Sequence, residues 1–177
     1  METNQNILAG KKNKADVQQM AVGALFIALT YVATAFINIP SPSAAGGLVH
    51  LGNIPLFIAA VLFGKKMGAI AGGLGMALFD VTSAYISWAP FTLIIVGLMG
   101  YITGLVTEKK KSAPYILLGM AAALIIKIGG YYAAEGIITG NWYSPAASIP
   151  GNIIQVGIAA VISLPMILTL KKVVRRV

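Results

Sequence analysis

The sequence predicts an all-α integral membrane protein, a compact bundle of six transmembrane helices with both termini cytoplasmic. Three observations carry that reading. First, 58% of the 177 residues are hydrophobic and 10% are charged, against roughly 25% charged in soluble domains. With a mean hydropathy of +0.84, a soluble fold would lack the polar surface needed to cover its core. Second, apolar runs of about membrane-spanning length recur along the chain. Third, 12 of the 13 Lys and Arg residues cluster at the ends of those runs, as cytoplasmic anchors do.

Residues 1–16 read as a polar cytoplasmic tail, 17–170 as the six-helix transmembrane domain and 171–177 as a basic cytoplasmic tail. The tail lacks the small-residue cleavage pattern of a secretory signal. Val17 to Ile39 is an uncharged first span, near the ~20 residues a bilayer requires, and Pro40-Ser41-Pro42 closes it. Ser43 to His50 reads as a Gly/Ala/Ser loop. Leu51 to Gly64 is short for a span; Asn53-Ile54-Pro55 suits its start, with Asn53 as cap and Pro55 in the first turn. Met67 to Ala84 is Gly/Ala-rich and interrupted only by Asp80, so the two runs read as a helical hairpin hinged on Lys65-Lys66. Tyr85 to Pro90 is a loop, Phe91 to Thr107 a fourth helix, and Pro114 to about Ile138 a fifth. Thr139 to Pro145 is a loop, and Ala146 to Leu170 an uncharged sixth helix. With the N-terminus inside, the connections 39–53, 85–90 and 139–145 face outward and carry no Lys or Arg.

An ionisable side chain inside a membrane is costly and is a functional candidate by default. At ~1.5 Å rise per residue, Asp80 and Lys127 each lie roughly 20 Å from the cytoplasmic start of their helices, and Glu135 about 12 Å beyond Lys127. Lys127, Tyr131 and Glu135 share one face of the fifth helix, as Ser148, Asn152 and Gln155 do on the sixth. The polar layer supports two readings: a buried Asp80–Lys127 ion pair that locks helices together, or the lining of a cavity open to the outside. Tyr85, Trp88, Trp142 and Tyr143 sit in the outer loops, either as an interfacial belt or as a stacking cover for a flat heteroaromatic ligand. His50, the only histidine, reads as a solvated loop residue or a ligand contact. The candidate substrate-binding set is therefore His50, Asp80, Trp88, Lys127, Tyr131, Glu135, Asn152 and Gln155.

The inventory also excludes functions. The net charge of +8 is spent on helix ends rather than gathered into a nucleic-acid surface. No cysteine and one histidine leave neither a thiol nucleophile nor a multi-histidine metal centre. Enzyme motifs such as GxSxG and HExxH are missing, and without a P-loop the chain does not hydrolyse ATP alone. No enzymatic activity, cofactor or metal is expected.

The series His50-Leu51-Gly52-Asn53-Ile54-Pro55, Phe63-Gly64-Lys65-Lys66-Met67-Gly68-Ala69-Ile70-Ala71-Gly72, Asp80 and Trp88-Ala89-Pro90-Phe91-Thr92 resembles the substrate-binding S component of energy-coupling factor (ECF) vitamin transporters. Within these it is similar to the riboflavin-type grouping, and most of all to members assigned to hydroxymethylpyrimidine or pyridoxine-like vitamers. The resemblance covers nearly the whole chain. It implies a cell-membrane protein that binds a small vitamin outside and docks on a transmembrane coupling subunit with two ATPase subunits. Ala24 and Ala28 match the family's helix-one AxxxA motif, which contacts the coupling subunit. Ligand contacts vary within the family more than the fold does, so the pocket residues named above rest on depth and helix face. Two other readings compete: a stand-alone proton-coupled transporter using the intramembrane ionisable groups, and a structural subunit whose charges only pair.

Overall fold

The computed structural model describes residues 2–40 and 48–174. Six α-helices account for most of them: α1 (Glu2–Phe36), α2 (Asn53–Phe63), α3 (Lys65–Thr82), α4 (Ala89–Thr107), α5 (Ala113–Thr139) and α6 (Ile149–Val174). Four stretches are long and apolar enough to cross a membrane: Asp16–Phe36, Ile86–Thr107, Ala113–Thr139 and Ser144–Val173. Two helices are different. α2 has 11 residues, ~16 Å of helix, about half a ~30 Å hydrocarbon core. It is apolar all round because protein surrounds it: Leu56, Phe57, Ala59, Ala60 and Val61 are 0% exposed, the signature of a central helix. α3 carries Lys65, Lys66 and Asp80 along its length.

Several sequence expectations need correction at the element ends. α1 is continuous from Glu2, so the polar segment forms one helix with the first span. That helix stops at Phe36 rather than Ile39. The Asn38 amide donates to the carbonyls of Thr34 (2.9 Å) and Ala35 (2.7 Å), satisfying acceptors that a further turn would have used. Asn38–Pro40 forms strand β1, paired antiparallel with β2 (Leu48–His50), Asn38 opposite His50. His50 is therefore a strand residue, while residues 41–47 of the expected loop lie outside the described residues. Asn53 does not cap α2: Gly52 occupies the cap position, without a side-chain cap bond. The hinge of the α2–α3 hairpin is Gly64 alone, at φ 96°, a conformation that glycine adopts without the usual Cβ penalty. A short 3-10 helix, Ile86–Trp88, lies within the first expected outer loop, and a second, Ser144–Ser148, follows from the end of the other, so that α6 starts at Ile149 rather than Ala146.

The α3–α4 pair is the most extensive helix contact, and glycine makes it possible. A Cβ on Gly100 would strike the Gly68 backbone, and one on Gly104 would strike the Lys65 backbone. Gly68 and the Gly100xxxGly104 pair thus mark backbone-to-backbone contact, whereas Gly72 lies against the Leu56 and Val96 side chains. Around them Phe57, Met76, Met99, Ile116 and Met120 fill the core. At the lysine-rich end, Lys65 pairs with Glu108 at 3.0 Å, and Lys111 donates to the Leu62 carbonyl at 3.1 Å.

Replacing Gly100 with Ala forces the α3 and α4 backbones apart. It is expected to destabilise the purified protein by about 1–3 kcal/mol, the usual cost of overpacking a tight contact. Gly129→Ala, where a Cβ meets nothing within 4 Å, should leave the melting temperature unchanged or higher.

Candidate functional site

At the end of the bundle opposite Lys65 and Lys109–Lys111, the C-terminal turns of α3, the start of α4, the second half of α5, the start of α6 and strand β2 surround a cavity. It is a small chamber, with a cavity volume of about 90 Å³. His50, Asp80, Trp88, Lys127, Tyr131, Glu135, Asn152 and Gln155 all line it. The eight residues chosen from depth and helix face therefore converge in space. The two polar stripes meet there because α5 and α6 pack together and both stripes line the cavity.

Each side chain reaches the cavity for a local reason. Asp80 sits one turn beyond Met76 on α3 and is 8% exposed. Its Oδ2 is buried without a hydrogen-bond partner. Thr92, one turn beyond Trp88 on α4, stands beside Asp80 and accepts a hydrogen bond from the Tyr131 hydroxyl at 3.2 Å. Lys127 is 2% exposed, with Nζ 4.8 Å above the Tyr131 ring, a cation–π contact strengthened by exclusion of water. Trp88 and Tyr131 form an aromatic wall, their ring centroids 6.2 Å apart and tilted by 42°.

Of the two readings of Asp80 and Lys127, the direct ion pair is not formed among the described residues. Among the described residues the only ion pair is Lys65–Glu108; Asp80 and Lys127 face the same cavity without joining. Helix depth put them in one layer but carries no information on azimuth, and α4, with Thr92, contacts both α3 and α5. Glu135 is held differently, accepting from Ser148 at 2.6 Å and Ser144 at 3.4 Å. Gln155 donates to the His50 carbonyl at 3.0 Å, tying β2 to α6. The His50 Nδ1 accepts from the Gly52 amide at 3.2 Å, which leaves its Nε2 as the N–H donor. Burial first, and the Lys127 charge second, hold the His50 imidazole well below its ordinary pKa. The solvated-loop reading of His50 is overturned: it is a buried, neutral lining residue.

The outer aromatics divide. Tyr85 lines the mouth with Phe79, their rings stacked at 6.2 Å. Trp142 and Tyr143, 55% and 91% exposed, lie off the cavity, Trp142 packing against Gly136. Thr34, Met76, Phe79, Thr92 and Gly151 also line the cavity and were missed. For Met76 and Thr92 the signal was present, since each lies four residues from a chosen residue on the same helix face.

The Gln155–His50 bond ties the strand pair to α6, while Asn38 ties it to α1. Gln155→Leu leaves a buried carbonyl without its donor and is expected to cost about 1–3 kcal/mol. The loss is read as a lower melting temperature with faster amide exchange at Asn38 and Ile39. An unchanged exchange rate would show that the strands are held by other contacts.

Comparison with known proteins fits this geometry. The model of the ECF-type riboflavin transporter S component matches residues 14–172. The chain is 32% identical over 148 residues to the thiamine precursor transporter HmpT of Lactococcus lactis subsp. cremoris, covering 84% of each protein. It is 39% identical over 109 residues to an uncharacterized protein in the gap 3' region of Pyrococcus woesei, covering 62% of this chain and 72% of that relative. An apolar helical body, spans of membrane length and a match over nearly the full chain lead to one conclusion: this is a multi-pass membrane protein of the ECF-type riboflavin transporter S component family.

Proposed function

We propose that this chain captures a small pyrimidine-type thiamine precursor, hydroxymethylpyrimidine or a close analogue, from the outer face of the cell membrane for ATP-driven import. The observation that carries the proposal is the cavity: a polar chamber with an aromatic wall, inside an otherwise apolar body, whose Asp80 and Lys127 form no ion pair among the described residues. Burial of such groups is costly unless a ligand completes them. The thiamine precursor transporter HmpT aligns over most of the chain. The alternative vitamer, a pyridoxine-like ring, differs in the donors it presents.

The side of capture follows from charge. Lys65, Lys66 and Lys109–Lys111 lie at the end of the bundle opposite the cavity, and the positive-inside rule puts that end in the cytoplasm. Six crossings with both termini inside accommodate these clusters, α2 and α3 together forming the short second and third passes. The chain carries no P-loop, so energy comes from ATPase subunits acting through a transmembrane coupling subunit. Ala24 and Ala28 are both exposed on α1, which favours docking over internal packing for that strip.

Native mass spectrometry of the purified protein identifies the ligand directly, as a small bound mass released on activation. A pyridoxine-like mass would revise the substrate, and uptake by the chain alone would replace the importer reading with that of a secondary transporter. In this chain without native cysteines, Ser87→Cys should label from outside with an impermeant thiol reagent, and Ser112→Cys should not. External labelling at 112 would break the topology. Ala24→Trp should leave melting temperature and ligand affinity of the isolated subunit intact, yet abolish assembly with the coupling module. Lost affinity in the isolated variant would instead mean that the strip packs internally.

A further inference from the structure

We infer that Asp80 selects the substrate by accepting a hydrogen bond from its exocyclic amine. The inference rests on the substrate reading above and deepens it. The two carboxylates of the cavity differ in one respect. Both oxygens of Glu135 are occupied, by Ser148 at 2.6 Å and Ser144 at 3.4 Å. Asp80 is 8% exposed, its Oδ2 has no hydrogen-bond partner, and no cation pairs with it among the described residues. A buried acceptor left open in this way is rare and costly, and a carboxylate in such a place needs a donor from the ligand.

Lys127 offers the complementary half. Its ammonium contacts the Tyr131 ring and pairs with no carboxylate among the described residues. The cavity therefore presents one open acceptor on α3 and one open donor on α5, beside the Trp88–Tyr131 wall. A 4-aminopyrimidine with a hydroxymethyl arm matches that pattern. Its amine donates to Asp80, while a ring nitrogen or the arm oxygen accepts from Lys127. A 4-oxo analogue of nearly the same shape sets a carbonyl against the carboxylate, acceptor against acceptor, which is how a site rejects an isostere.

The test is equilibrium binding of 4-amino-5-hydroxymethyl-2-methylpyrimidine and its 4-oxo counterpart to the purified full chain. The wild type should prefer the amine by on the order of 100-fold or more, as sites built around a ligand hydrogen bond do. In Asp80→Asn the side-chain amide can donate as well as accept, and the preference should shrink to within ~10-fold or invert. A preference kept in Asp80→Asn while both affinities fall would overturn the inference, as would equal binding of both ligands by the wild type. A second measurement needs no variant at position 80. The chain has two aspartates, Asp16 and Asp80, so infrared difference spectra of ¹³C-aspartate-labelled Asp16→Asn protein report Asp80 alone. The amine should shift its carboxylate band, and an unshifted band with ligand bound would overturn the assignment. If the wild type binds neither ligand, the substrate reading itself fails and the assignment falls with it. A retained preference fails the assignment only.

Discussion

Everything at the open end of this bundle follows from the cost of placing charged side chains in an apolar body. An isolated charge in a low-dielectric interior is unfavourable by several kcal/mol even after relaxation, and here Asp80, Lys127 and Glu135 are each more than nine-tenths buried. The fold offsets each differently. Glu135 receives two serine hydroxyls from the segment leading into α6. Lys127 lies against the face of Tyr131. Asp80 keeps one oxygen without a protein donor. The cavity exists where these groups cannot complete one another.

The opposite end of the bundle makes that arrangement tolerable. α2 is buried on every side, and Gly68, Gly100 and Gly104 bring the α3 and α4 backbones into direct contact. A tightly packed lower half lets the upper half spread around a polar chamber without losing its register. The β1–β2 pair then closes one side, held to α6 through Gln155 and the His50 carbonyl. Division of labour along the bundle axis links packing to function: close contact near the basic clusters, polar lining near the outer loops.

Much of this was legible in the sequence because membrane insertion constrains composition so strongly. Charge clusters marked helix ends, and the rarity of intramembrane ionisable groups singled out Asp80, Lys127 and Glu135. Helical periodicity joined Tyr131, Asn152 and Gln155 to them. Other features left little trace. The strand pair is three residues per strand and depends on tertiary closure rather than β propensity. The burial of α2 is invisible to periodicity, since a helix covered on all sides has no polar face. Rotation about helix axes decided that Asp80 and Lys127 face each other across a cavity without pairing, and depth alone cannot supply it. Trp142 and Tyr143 carried the composition of a ligand cover, yet the turn after α5 directs Trp142 onto Gly136.

The central claim is that this cavity holds the small molecule. The chain has two tryptophans, and of these Trp88 lines the cavity while Trp142 is 55% exposed and lies off it. Titrating hydroxymethylpyrimidine into purified Trp142→Phe protein, in which Trp88 is the sole tryptophan, measures occupancy at the site itself. The account predicts a saturable, one-to-one change in Trp88 emission, and none in the converse Trp88→Phe protein. Silent Trp88 emission while dialysis shows ligand bound would place the ligand elsewhere and contradict the account.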